Sequence, residues 1–92
     1  MIRSFRSKAL RRFAETDNSS KLSAQNPERI RRILLALDSA RRPEALDLPG
    51  LRFHPLKGRE RGRHAVDAGG NRRLTFGWDG EDAIDLDLED YH

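Results

Sequence analysis

The sequence closes on Leu88, Glu89, Asp90, Tyr91 and His92, and its last three side chains can each carry or steer a proton. Histidine suits proton transfer near neutral pH because its unperturbed pKa is about 6.5. The plainer alternative is that Asp90 and Tyr91 are the polar end of an edge strand and His92 a frayed terminus. His54 is held extended by Pro55, either as a packed strand residue or as the wall of a site. Lys57, between Leu56 and Gly58, reads as a solvated turn lysine on its own. Arg73 is either a cross-strand partner of Asp87, worth up to about 1 kcal/mol, or the lining of a cleft that needs positive charge. Metal chemistry finds no ligand set: the chain has no cysteine, and His54, His64 and His92 lack local ligand spacing. Gly69 and Gly70 precede no helix, so they read as a hairpin turn and not as a phosphate loop.

Two periodicities must position these residues. "MIRSF" reads as a short strand leading into a helix that Ser7 caps, "KALRRFAE", where Ala9, Leu10, Phe13 and Ala14 form an apolar stripe. A polar loop, "TDNSSKLSAQ", precedes a second helix with Asn26 as cap, Pro27 in the first turn and Ile30, Ile33, Leu34 and Leu37 at helical spacing. Arg29, Arg31 and Arg32 point away from that stripe, Pro43 stops the helix, and "EALDLPG" is a turn of helix or a loop ending at Gly50.

Beyond Gly50 the period changes to 2. "LRFHPL", "GRHAVDA", "RRLTFGW" and "DAIDLDLEDYH" read as strands, with Pro55 confined to an edge or bulge and turns at Gly69–Asn71 and Asp79–Gly80. In the last strand Ile84, Leu86 and Leu88 alternate with Asp85, Asp87 and Glu89, which predicts one buried face and one wet face. Continued alternation sends Asp90 and His92 to the side of Leu88, and Tyr91 to the side of Glu89. Leu74 and Phe76 point inward, so Arg73 and Thr75 turn toward the acidic row. Arg72 shares the parity of Leu74 and must reach the rim or pair with an acid, because an unpaired buried charge costs several kcal/mol. The predicted fold is α+β: a single domain over residues 1–92, with two N-terminal helices on one face of a small, largely antiparallel twisted sheet.

Charge is segregated along the chain. Residues 1–73 carry all 18 Lys and Arg against 8 acids, a net charge of +10, whereas residues 74–92 carry 7 acids and neither Lys nor Arg. A basic body attracts polyanions through phosphate contacts and counterion release; the bland reading is Arg-rich helices with solvated faces. The longest apolar run, Ile33 to Leu37, is far short of the roughly 20 residues of a membrane span. No apolar stretch follows the basic N-terminus, so it does not read as a secretory signal. The expectation is a cytoplasmic protein that does not engage a membrane.

The motifs "HPLKG" at 54–58, "RRLTF" at 72–76 and the terminal "EDYH", with "MIRSFRSKAL" and the spacing of "LPGLRFHPLKG", resemble HigB-type toxins of the RelE superfamily, from bacterial type II toxin-antitoxin systems. The resemblance covers nearly the whole chain and rests on the order of motifs that are each weak alone. It implies a RelE-like fold and a ribosome-dependent endoribonuclease that cuts mRNA in the ribosomal A site without a metal or cofactor. It also implies a HigA-type helix-turn-helix antitoxin, through which the complex meets operator DNA. By motif position, Asp90 and His92 become acid and base candidates, with the order of proton transfer left open. Tyr91 positions or stacks on a base, and Lys57 and Arg73 bear on the scissile phosphate. His54, Arg59, Arg61, Arg63 and Arg72 supply the RNA-binding surface. Members of the family commonly carry Trp at the positions of His64 and Arg72, so Trp78 is expected to fill part of that volume. Two alternatives stay open: a non-catalytic nucleic-acid-binding module of the same fold, and a ribonuclease that needs no ribosome.

Overall fold

The computed structural model describes residues 1–22 and 24–90. Both predicted caps start helices. Ser7 Oγ accepts the Leu10 N–H at 3.1 Å and opens α1, Lys8–Thr16; Asn26 Oδ1 accepts the Arg29 N–H at 3.1 Å and opens α2, Pro27–Ser39. α1 ends at Asp17, whose left-handed backbone lets its N–H close on the Phe13 carbonyl at 2.8 Å. The inward residues are those of the apolar stripes: Leu10 and Phe13 from α1, and Ile30, Ile33, Leu34 and Leu37 from α2. A short 3-10 turn at Pro43–Leu46 adds Leu46 to the core.

The strands are β1, His54–Pro55; β2, His64–Gly69; β3, Arg72–Asp79; and β4, Asp82–Asp90, joined in the order β1-β2-β3-β4 with every pair antiparallel. β1 is a two-residue edge strand, as its proline requires. Val66, Ala68, Leu74, Phe76, Ala83 and Leu86 face the helices and share one hydrophobic core with them. The N-terminal segment runs parallel to β4 through bridges at Ile2 with Ala83 and Phe5 with Leu86. Ala83 N–H donates to the Met1 carbonyl at 2.9 Å and Arg6 N–H to the Leu86 carbonyl at 2.8 Å, so the outer edge of β4 is covered. Arg3 pins this segment to the β3–β4 turn, reaching Asp79 and Asp82 at 2.6 Å each. Among the described residues no helix is long and apolar enough to cross a membrane.

One expectation fails within β4. Its pairing with β3 shifts between Thr75 and Gly77, and Asp85 adopts a left-handed φ of 53°. Two residues of β4, Asp85 and Leu86, therefore answer one residue of β3, Phe76, which is a β-bulge. The bulge inverts the phase. Ile84 does not share the face of Leu86 and Leu88; it pairs with Gly77 on the opposite face, where a Cβ on Gly77 would lie 3.3 Å from Ile84 Cγ1. Ala83, opposite Trp78, takes the inward position instead. Ser4 Oγ steadies the bulge by accepting the Asp85 N–H at 2.8 Å.

Candidate active site

β3 and β4 put adjacent arginines on opposite faces of the sheet. Arg73 stands opposite Glu89, its Nη2 at 3.6 Å from Oε1, so the partner expected from alternation, Asp87, is displaced to Thr75. Arg72 stands opposite Asp90 on the helix-covered face, with Nε at 3.2 Å from Oδ1 and Nη2 donating to the Leu88 carbonyl at 3.4 Å. Of the two outcomes expected for Arg72, the rim or an acid, it takes the acid, Asp90. Tyr91 and His92 lie outside the described residues.

On the face away from the helices, three strands align Asp67, Arg73 and Glu89 in one row, and four align His54, Ala65, Thr75 and Asp87 in the next. Paired residues in antiparallel strands share a face, so His54 and Arg73 occupy neighbouring rows of one surface. Arg52, His54, Asp67, Gly70 and Asn71 line a cleft of about 410 Å³ there. His54 Nδ1 lies 2.9 Å from the Arg52 carbonyl. A carbonyl only accepts, so Nδ1 carries the hydrogen in this contact. α2 holds this loop in place: Arg29 donates from Nε to the Asp67 carbonyl at 2.9 Å and from Nη2 to the Gly50 carbonyl at 2.6 Å. The apolar stripe gave no sign that Arg29 had this task.

Arg63 lies across the same face and is only 7% exposed. Its Nη2 donates to Thr75 Oγ1 and to the Asp85 carbonyl at 2.9 Å each, and its Nε sits 3.3 Å from Glu60 Oε2. Burial lowers its pKa, reinforced by repulsion from Arg6 and opposed by Glu60, Glu89 and Asp85. Arg63 was expected to contact RNA; its guanidinium is committed to the sheet, with little surface to offer a ligand. Arg59 and Arg61 are exposed, on and just after the 3-10 turn Gly58–Glu60.

Lys57 is exposed and follows β1, while Asp90 ends β4. Three strand spacings separate β1 from β4, about 14 Å. The structure thus gathers His54, Arg73 and Glu89 on one face and joins Arg72 to Asp90 on the other, but it sets Lys57 and Asp90 on opposite edges.

His64 occupies a place that sequence reasoning left empty. Its ring stacks on Phe53 at 5.4 Å and 9°, and on Phe76 at 5.7 Å and 25°; Phe76 meets Trp78 edge-on at 6.2 Å. An imidazole therefore serves as the aromatic ring of the stack, with Trp78 continuing it. Desolvation holds the His64 pKa below the usual histidine range, against a weaker opposing pull from Glu44. The inward parity of His64, two residues before Val66, was the available signal.

The family model for the RelE-like toxin of the type II toxin-antitoxin system HigB matches residues 3–92. The chain is also 37% identical over 92 residues, covering 100% of both chains, to a protein of Proteus vulgaris named Endoribonuclease HigB.

Proposed function

The chain belongs to the HigB-like toxins of RelE-like type II toxin-antitoxin systems, and we propose that it is an endoribonuclease that cleaves mRNA in the ribosomal A site by general acid–base catalysis without a metal. Such cleavage lets a ribose 2′-OH attack the adjacent phosphate. It needs a base for the hydroxyl, an acid for the leaving oxygen and positive charge around the phosphorane. Asp90 and His92 are the acid and base pair, Arg73 and Lys57 bear on the phosphate, and Tyr91 orients or stacks on a base. His54 walls the site, and Arg59, Arg61 and Arg72 contact the RNA backbone. The single observation that carries this reading is the end-to-end likeness to a protein named for ribonuclease activity. The placement of His54 and Arg73 in neighbouring rows of one face supports it. With Lys57 and Asp90 on opposite edges, an RNA running across the sheet meets them at different phosphates, Asp90 at the cleaved one and Lys57 at a neighbour. The type II family also implies an antitoxin; we take it to be a HigA-type helix-turn-helix protein that silences the toxin and carries the complex to operator DNA, in the cytoplasm.

Induction of the protein alone is expected to arrest growth, with cleavage sites mapping to translated messages only when ribosomes are present. His92→Ala, or deletion of His92, relieves the arrest while circular dichroism reports an unchanged fold. A folded deletion variant that remains fully toxic overturns the acid–base assignment, and equal cleavage of naked RNA overturns ribosome dependence.

A further inference from the structure

We infer that Thr75 is a positioning residue for Arg73, acting through Glu89; the inference rests on the phosphate role given to Arg73 above. Thr75 is fully buried on the face away from the helices. Its hydroxyl accepts from Arg63 Nη2 at 2.9 Å and lies 2.6 Å from Glu89 Oε2. A guanidinium has donors only, so Arg63 takes a lone pair of the hydroxyl, and the hydroxyl hydrogen points to the carboxylate. Each contact involves a charged partner, which makes it stronger than a neutral hydrogen bond. Holding Oε2 restricts where the second oxygen of Glu89, Oε1, can lie, and Oε1 faces Arg73 Nη2 at 3.6 Å.

The start of this relay is anchored at three points. Arg63 is held by Thr75, by Glu60 and by the Asp85 carbonyl that the bulge presents. Asp85 is in turn tied to Ser4. Orientation therefore passes from the backbone of β4, through Arg63, Thr75 and Glu89, to a cation on the surface that His54 and Asp67 share. A valine would suit this strand position by shape and propensity. It would also remove the donor that holds Glu89 Oε2, so the hydroxyl matters for direction and not for filling space. The second carboxylate in register with Arg73, Asp67, has its own Oδ1 occupied by the Gly69 N–H at 2.9 Å. Glu89 is thus the neighbour whose orientation Thr75 can set.

The test is single-turnover cleavage of a ribosome-bound message by the full chain, comparing wild type, Thr75→Val, Thr75→Ser, Arg73→Ala and the double variant Thr75→Val/Arg73→Ala. Thr75→Val is expected to lower the rate at saturating toxin by between about tenfold and 10²-fold, the cost of a misplaced group, with the half-saturating concentration unchanged. Serine restores the rate, and valine adds nothing once Arg73 is alanine. Should Thr75→Val fail to fold, Glu89→Gln reads the same link, since it keeps an acceptor for the hydroxyl and removes the charge facing Arg73. A folded Thr75→Val variant with the wild-type rate overturns the inference, as does an equal further loss in the Arg73→Ala background. A wild-type rate for Arg73→Ala itself overturns the phosphate role of Arg73, and the relay falls with it.

Discussion

His64 is an ionisable group used as an aromatic ring. Between Phe53 and Phe76 it is shielded enough that its Nδ1 has no hydrogen-bond partner among the described residues. Burial disfavours the imidazolium and lowers the pKa. In the unfolded chain the same ring takes a proton at about pH 6.5. Below that pH the unfolded state binds a proton that the folded state refuses, so stability is complete above it and falls as pH drops toward the lowered folded value. We expect the urea midpoint of the wild type to fall more between pH 7.5 and pH 5 than that of His64→Phe. Equal falls would mean that the ring protonates without leaving the stack. Among single residues, Arg72 was legible in advance because parity and the cost of a buried charge together left it the rim or an acid, and it pairs with Asp90. Arg63 was not legible. Alternation gives the face of a residue but not its depth, and only the turn at Gly58–Glu60 lays its side chain across the sheet.

At the scale of elements, capping residues, prolines and apolar stripes placed both helices, and the change of period placed the four-stranded sheet. What they did not reveal was the bulge. Ile84, Leu86 and Leu88 keep a spacing of two across it, so counting by twos sees no break; the clue was two successive apolar residues, Ala83 and Ile84, ahead of it. Asp85 occupies a left-handed backbone region, φ 53°, that short polar residues and glycine tolerate and β-branched ones resist. Asp85→Val is expected to lose about 1–3 kcal/mol of stability from backbone strain, and Asp85→Gly markedly less, in paired urea titrations. If valine and glycine prove equivalent, the left-handed geometry does not bear on stability. Ser4, Asp85 and Arg63 form one connected set, so Asp85→Val is also expected to slow cleavage through Arg63.

At the scale of the whole molecule, the segregation of charge along the chain does not survive folding. Asp82 meets Arg3 and the N-terminal amine, Glu89 meets Arg73, and Asp90 meets Arg72, so the acidic strand is threaded among cations from the basic part. The hydrogen bond from Arg3 holds the Asp82 carboxyl below its usual pKa. Sequence alone showed the imbalance but not its dispersal, because the pairings join residues as far apart as Arg3 and Asp82. The exposed cations Arg59 and Arg61 remain outside these pairs. Their joint replacement by alanine is expected to flatten the salt dependence of single-stranded RNA binding by about 0.7 in logarithmic slope for each phosphate that is no longer neutralised. Anisotropy titrations from low to moderate salt check this, and an unchanged slope would place the RNA path elsewhere.

Asp85 is a supernumerary residue: taking it out would leave every other side chain of β4 on its present side of the sheet. The strand would become regular, its apolar inward row intact, yet the carbonyl on which Arg63 leans would be gone. If Arg63 orients Arg73 as proposed, loss of that one codon is expected to lead from an active toxin to a folded, quiet descendant with every proposed catalytic side chain still encoded. Gene length, read to the codon, would then separate the two where an inventory of active-site residues does not.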